Sequence, residues 1–183
     1  MQDTVRQTIG SIVIAWNRAE DAVASMAALY LDVDALTFDL LVKPLRPQDR
    51  EKLLRAVVGA KEFDREIVAE VDQAIKRSQI CRENRNKILH RMGELDGNLT
   101  PESEAQLNRV LSEISRECVY LDALKLQIAA VFFDRTSREV PDDGGGTGDD
   151  ELRPVLAFIP PERPANPKAL KFEHLEVQPK YME

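Results

Sequence analysis

Apolar residues recur every three or four positions through most of the first 138 residues, the pattern of helices that bury one face. Val5, Ile9, Ile12, Trp16, Ala19, Val23, Met26 and Tyr30 make one continuous stripe and predict a helix over residues 3–31. A shorter helix is predicted over 34–43, stopped by Pro44, because proline cannot continue the hydrogen-bond ladder. Pro47 opens a further helix with Asp49 and Glu51 in its first turn, where negative charge suits the helix dipole. It weakens at Gly59. A long helix follows over 63–92, with the stripe Ile67, Val71, Ala74 or Ile75, Ser78, Cys81, Arg85, Ile88 and Met92, closed by Gly93 and Gly97. The last helix starts at Thr100-Pro101-Glu102, a capping hydroxyl, a proline at the first helical position and an acid in the first turn. Leu107, Leu111, Ile114, Cys118, Leu121, Leu124, Ile128 and Phe132 carry its stripe, which fades after Phe133.

Four to five amphipathic helices with short connections predict an all-α fold, an antiparallel helical bundle over residues 1–140. Residues 141–183 read differently. PDDGGGTGDDE is linker material. Beyond it, Val155–Ile159 and Leu170–Val177 carry weak strand patterns among prolines. The expectation is a flexible, mostly disordered tail, with a short strand pair on the bundle or ordering on a partner as the alternatives.

Composition narrows the function. No apolar run reaches the roughly 20 residues of a membrane span, and the N-terminus lacks the regions of a secretory signal. Cys81 and Cys118 are the only cysteines, expected as buried thiols in a reducing cytoplasm. The two scattered histidines give no metal-ligand cluster, so no metal and no cofactor are expected. The net charge of −7 argues against a general nucleic-acid surface. Residues 76–91 are the exception. They carry Lys76, Arg77, Arg82, Arg85, Lys87 and Arg91 against Glu83 alone, enough local positive charge to hold a phosphate backbone.

Within that stretch, Arg85 stands where the apolar stripe should continue, Asn86 follows, and His90 lies near the helix end. Histidine transfers protons near neutral pH. Arginine presents a planar fork that never loses its charge and pairs with phosphate oxygens. Asn86 and His90 are four residues apart and share a face, so Asn86 can orient the imidazole. Glu20, at the edge of the first helix's apolar face, is a candidate to hold the Arg85 fork.

Arg85-Asn86-Lys87-Ile88-Leu89-His90 resembles the R-x4-6-H motif of HEPN domains, late on one long helix with one more long helix after it. Trp16 and Glu20 on the first helix are similar to residues of some family members. The resemblance covers residues 1–138. It implies a metal-independent RNA endonuclease in which Arg85, Asn86 and His90 are catalytic, Glu20 supports them, and Lys76, Arg77, Arg82, Lys87 and Arg91 bind RNA. It further implies a homodimer with a composite site, and a toxin or an abortive-infection or other defence effector restrained by an antitoxin or regulatory protein. The alternatives are a non-catalytic HEPN-like domain that binds RNA or a nucleotide, and a helical protein-interaction module.

Overall fold

A computed structural model describes residues 2–91, 99–139, 156–171, 173, 175 and 176. The described residues form five α-helices: α1 (Gln2–Leu31), α2 (Ala35–Thr37), α3 (Pro47–Lys61), α4 (Arg65–His90) and α5 (Pro101–Glu139). The helix predicted over 34–43 is split. Asp34 caps the short α2, and the chain continues as a π-helical turn, Phe38–Val42. Asp64 caps α4 by accepting from the Glu66 amide at 2.8 Å. Thr100 Oγ1 accepts from the Ser103 amide at 3.2 Å and caps α5.

The core is one apolar cluster. Ile12, Trp16 and Met26 of α1 meet Ile67, Ile75 and Ile88 of α4 and Leu107, Ile114, Leu121 and Leu124 of α5, all fully buried. The helix directions differ from the antiparallel expectation. Arg18 pairs with Asp122 at 3.3 Å and Tyr30 meets Phe132 edge-on at 6.2 Å, so α1 and α5 run parallel. Glu20 faces Arg50 and Tyr30 bonds Glu62, so α3 runs with α1. Only α4, among the long helices, runs the other way, as its Arg55–Asp72 and Arg82–Glu51 pairs with α3 and its Arg77–Glu117 pair with α5 show. The turn of α2 carries the chain back beside α1 before α3 begins, which is what allows two consecutive long helices to be parallel. Glu62 ties the shared end: it accepts from Tyr30 Oη at 2.8 Å and from Arg135 at 2.7 Å.

The second departure concerns the tail. Residues 156–171 are not a loose appendage but lie in the groove between α4 and α5, without regular strand geometry. Phe158, Leu170 and Leu175 are buried in the same core cluster as the helices. The segment runs antiparallel to α5, from Leu156, whose amide donates to Asp134 at 3.1 Å, to Glu176, whose amide donates to Ser103 Oγ at 2.7 Å. The stretch 141–151, expected to be a linker, lies outside the described residues, as do part of Val155–Ile159 and of Leu170–Val177.

Candidate functional site

The candidate site occupies the last turns of α4. Arg85 is half-buried there, and its Nη1 donates to Asn86 Oδ1 at 3.0 Å. Asn86 therefore steadies the guanidinium, whereas the helical spacing had assigned it to the His90 ring. His90 is exposed at the helix end. Arg85 Nε is buried with no hydrogen-bond partner, a feature that calls for a functional or structural explanation.

Glu20 does not hold the Arg85 fork. Its carboxylate accepts from Trp16 Nε1 and lies 3.7 Å from Arg50. Burial pushes its carboxyl above the ordinary carboxylate range, while the Trp16 bond and the charges of Arg50 and Arg85 oppose that rise. Arg85 thus acts on Glu20 through space. The cavity beside Glu20, lined also by Trp16, Arg50, Glu51 and Ser78, measures about 10 Å³. That is room for a single water and none for a base or a phosphate.

The predicted basic surface is largely spent inside the molecule. Arg77 is 5% exposed. Its fork grips Glu117 at 2.8–3.2 Å, bonds Asn166 Oδ1 at 2.7 Å and stacks over Tyr120. This places Arg77 in the core rather than on an RNA-facing surface. Burial raises the Glu117 carboxyl against the opposing charge of Arg77. Arg82 reaches Glu51 at 2.7 Å, and Lys87 donates to the Leu170 carbonyl at 2.7 Å. Lys76 pairs with Asp72 at 2.8 Å on the surface. Arg91 is half-exposed just past the helix.

Several residues that matter were not legible in the motif. Asn84, not Arg85, continues the buried stripe of α4 and is 1% exposed. Its amide donates to the Lys168 carbonyl at 2.8 Å and its oxygen accepts from the Leu170 amide at 2.7 Å. Glu70, also buried, receives both the Arg163 fork and the Tyr120 hydroxyl. Burial alone would raise its carboxyl; the bonds from Arg163 and Tyr120 outweigh that and hold it below the ordinary range. The recurrence of Glu70, Arg77 and Asn84 at seven-residue spacing on the inner face of α4 was the only available signal. The thiol of Cys81 is pushed up to about 12 by burial and by the nearby Glu117 charge, so it is not poised to react. Among the described residues no group of three metal-ligating side chains exists, and no helix is long and apolar enough to cross a membrane. In comparisons with protein families, curated proteins and solved structures, the chain matches none.

Proposed function

We propose that the protein is a metal-independent RNA endonuclease of the HEPN-like kind, acting as a toxin or defence effector under the control of a partner protein. One observation carries this reading. Among the cations from Lys76 to Lys87, Arg85 alone is neither ion-paired nor bonded to the C-terminal segment in the described structure. Lys76, Arg77, Arg82 and Lys87 have internal partners. Arg85 is held only by Asn86, at the helix end where His90 is exposed. In this reading Arg85 stabilises the charge that grows on the scissile phosphate. His90 moves the proton of the attacking 2′-hydroxyl or of the leaving 5′-oxygen. A second copy supplies the complementary pair, and cleavage leaves a 2′,3′-cyclic phosphate.

The test is a mixed RNA pool incubated in EDTA with wild type, His90→Ala and Arg85→Ala, each variant checked for folding by circular dichroism. Wild type alone is expected to cut, with both variants down by roughly 10² or more. RNA left intact by the wild type overturns the free-RNA nuclease reading.

The consumption of Arg77, Arg82 and Lys87 by Glu117, Glu51 and Leu170 favours a second reading, a helical protein-interaction module. In that case His90→Ala leaves every measured property unchanged.

A further inference from the structure

The outer face of α5 carries a second apolar stripe that the core does not use. Val119, Leu126 and Phe133 recur at seven-residue spacing and are 69%, 65% and 63% exposed. Ala123 and Ala130 fall between them, three or four residues from each neighbour. The result is a seam in which bulky side chains alternate with alanines from Val119 to Phe133, about 21 Å of helix. At one end, Val119, Tyr120 and Ala123 form a groove with Pro161, Arg163 and Pro164 of the C-terminal segment. It has a volume of about 500 Å³, ample for an aromatic ring, and its walls are mainly apolar side chains. At the other end stands Phe133, a knob largely exposed and edge-on to Phe132 at 6.1 Å.

We propose that a second copy of this chain docks antiparallel along α5, about a two-fold axis at Leu126, with Phe133 of each copy seated in the groove of the other. The numbering carries the geometry. Leu126 lies midway between Val119 and Phe133, so a two-fold there lays each knob on the partner's groove. A two-fold contact has to be self-complementary in this sense: if position i meets j, then j meets i. Across the same axis Ala123 falls within one residue of the level of Ala130, and small residues there let the two helices approach closely. Charge agrees with shape. Arg116, exposed beside the groove, makes no ion pair among the described residues and is held only by Ser112 Oγ at 2.9 Å. Asp134 directly follows the knob. The antiparallel arrangement brings Arg116 within two residues of the level of Asp134 of the other copy, twice per pair, near a carboxylate that also accepts from the Leu156 amide.

This contact is independent of the ribonuclease reading. The two His90 ends lie at opposite ends of such a pair, so it does not build the composite Arg85–His90 groove.

The experiment is analytical ultracentrifugation of the full chain over a concentration series. Wild type is expected to associate through this contact. Phe133→Asp removes two anchors per dimer and is expected to raise the dissociation constant about a thousandfold. Arg116→Glu weakens the dimer, and adding Asp134→Arg to it restores association. Leu41→Glu, an exposed apolar position off the seam, leaves the dimer intact and checks for non-specific stickiness. Leu126→Cys forms a disulfide-linked dimer on mild oxidation, whereas Leu41→Cys does not. A monomeric wild type overturns the proposal. So does a dimer that survives Phe133→Asp and fails to link through Leu126→Cys, because it is then built on another face. RNA cleavage measured on the same samples reports on the catalytic reading separately, since Phe133 is not part of that site.

Discussion

Asn84 uses one side chain to do what the edge of a β-strand does with its backbone. Its amide group both donates to and accepts from the passing chain, at Lys168 and Leu170. Asn84 and Leu170 are both buried, so the Leu170 amide has no water as a substitute. Asn84→Ala leaves that amide unpaired, at a cost of about 1–3 kcal/mol, whereas the Lys168 carbonyl keeps its bond from Arg109 at 3.2 Å. The expected loss is about 1–3 kcal/mol, read as a drop in melting temperature of about 2–10 °C by calorimetry. Asn84→Asp keeps the acceptor for Leu170 but sets a carboxylate against the Lys168 carbonyl, and is expected to cost at least as much. Arg85→Ala, one position along, removes no such pairing and is expected to change stability by less than about 1 kcal/mol. The helical period explains why sequence reading placed these two residues the wrong way round. A stripe followed at three- and four-residue steps from Cys81 allows either position 84 or position 85. An asparagine in a core looks as improbable as an arginine until its backbone partners, more than 80 residues away in the chain, are known.

At the scale of elements, α4 is the centre of the polar architecture. Its inner face carries Glu70, Arg77 and Asn84, one residue every two turns, and each holds a successive part of the C-terminal segment: Arg163, then Asn166, then Lys168 and Leu170. Local signals made α1 and α5 legible, from the unbroken apolar stripes of both and the Thr100 cap of α5, although α5 also buries Glu117. The docked segment was not legible. Its prolines and weak period give no helix or strand, and its order comes from side chains on helices remote in sequence. The Glu70 anchor also makes the segment sensitive to acid. The folded carboxyl titrates below its unfolded value of about 4.3, so its stabilising contribution is complete above that value and is lost as pH falls through the folded one. Glu117, whose carboxyl burial raises, acts in the opposite sense: its ionisation opposes folding, and protonation relieves that cost. The amides of Lys168 and Leu170, which donate to Glu113 and Asn84, are therefore expected to lose exchange protection on acidification before the α1 and α5 helices do, after correction for intrinsic rates. In Glu70→Gln the same amides are expected to be loosened already at pH 7 and to show little further change.

For the whole molecule, the consequence is that the chain is one body whose last part is joined through its core rather than only through its linker. Phe158, Leu170 and Leu175 belong to the same cluster as Trp16 and Leu121. Composition separates residues 141–183 from the rest by charge and by proline, and that contrast misled the domain reading, since burial depends on a few apolar side chains and not on average polarity. The two descriptions predict different outcomes for a single backbone cut. A protease site inserted within Gly144-Gly145-Gly146 severs the chain between the bundle and the segment without touching any described contact. If the segment were a tail, its fragment would separate at once on size exclusion. With three buried apolar side chains and the Glu70, Arg77 and Asn84 bonds intact, the two fragments are expected to elute together at micromolar concentration. They should part when Arg163→Ala and Asn84→Ala are combined, because the remaining apolar burial has to offset the entropy of holding an irregular segment in place. Separation of the cleaved wild type would show that the linker, by keeping the local concentration of the segment high, is what holds the groove filled.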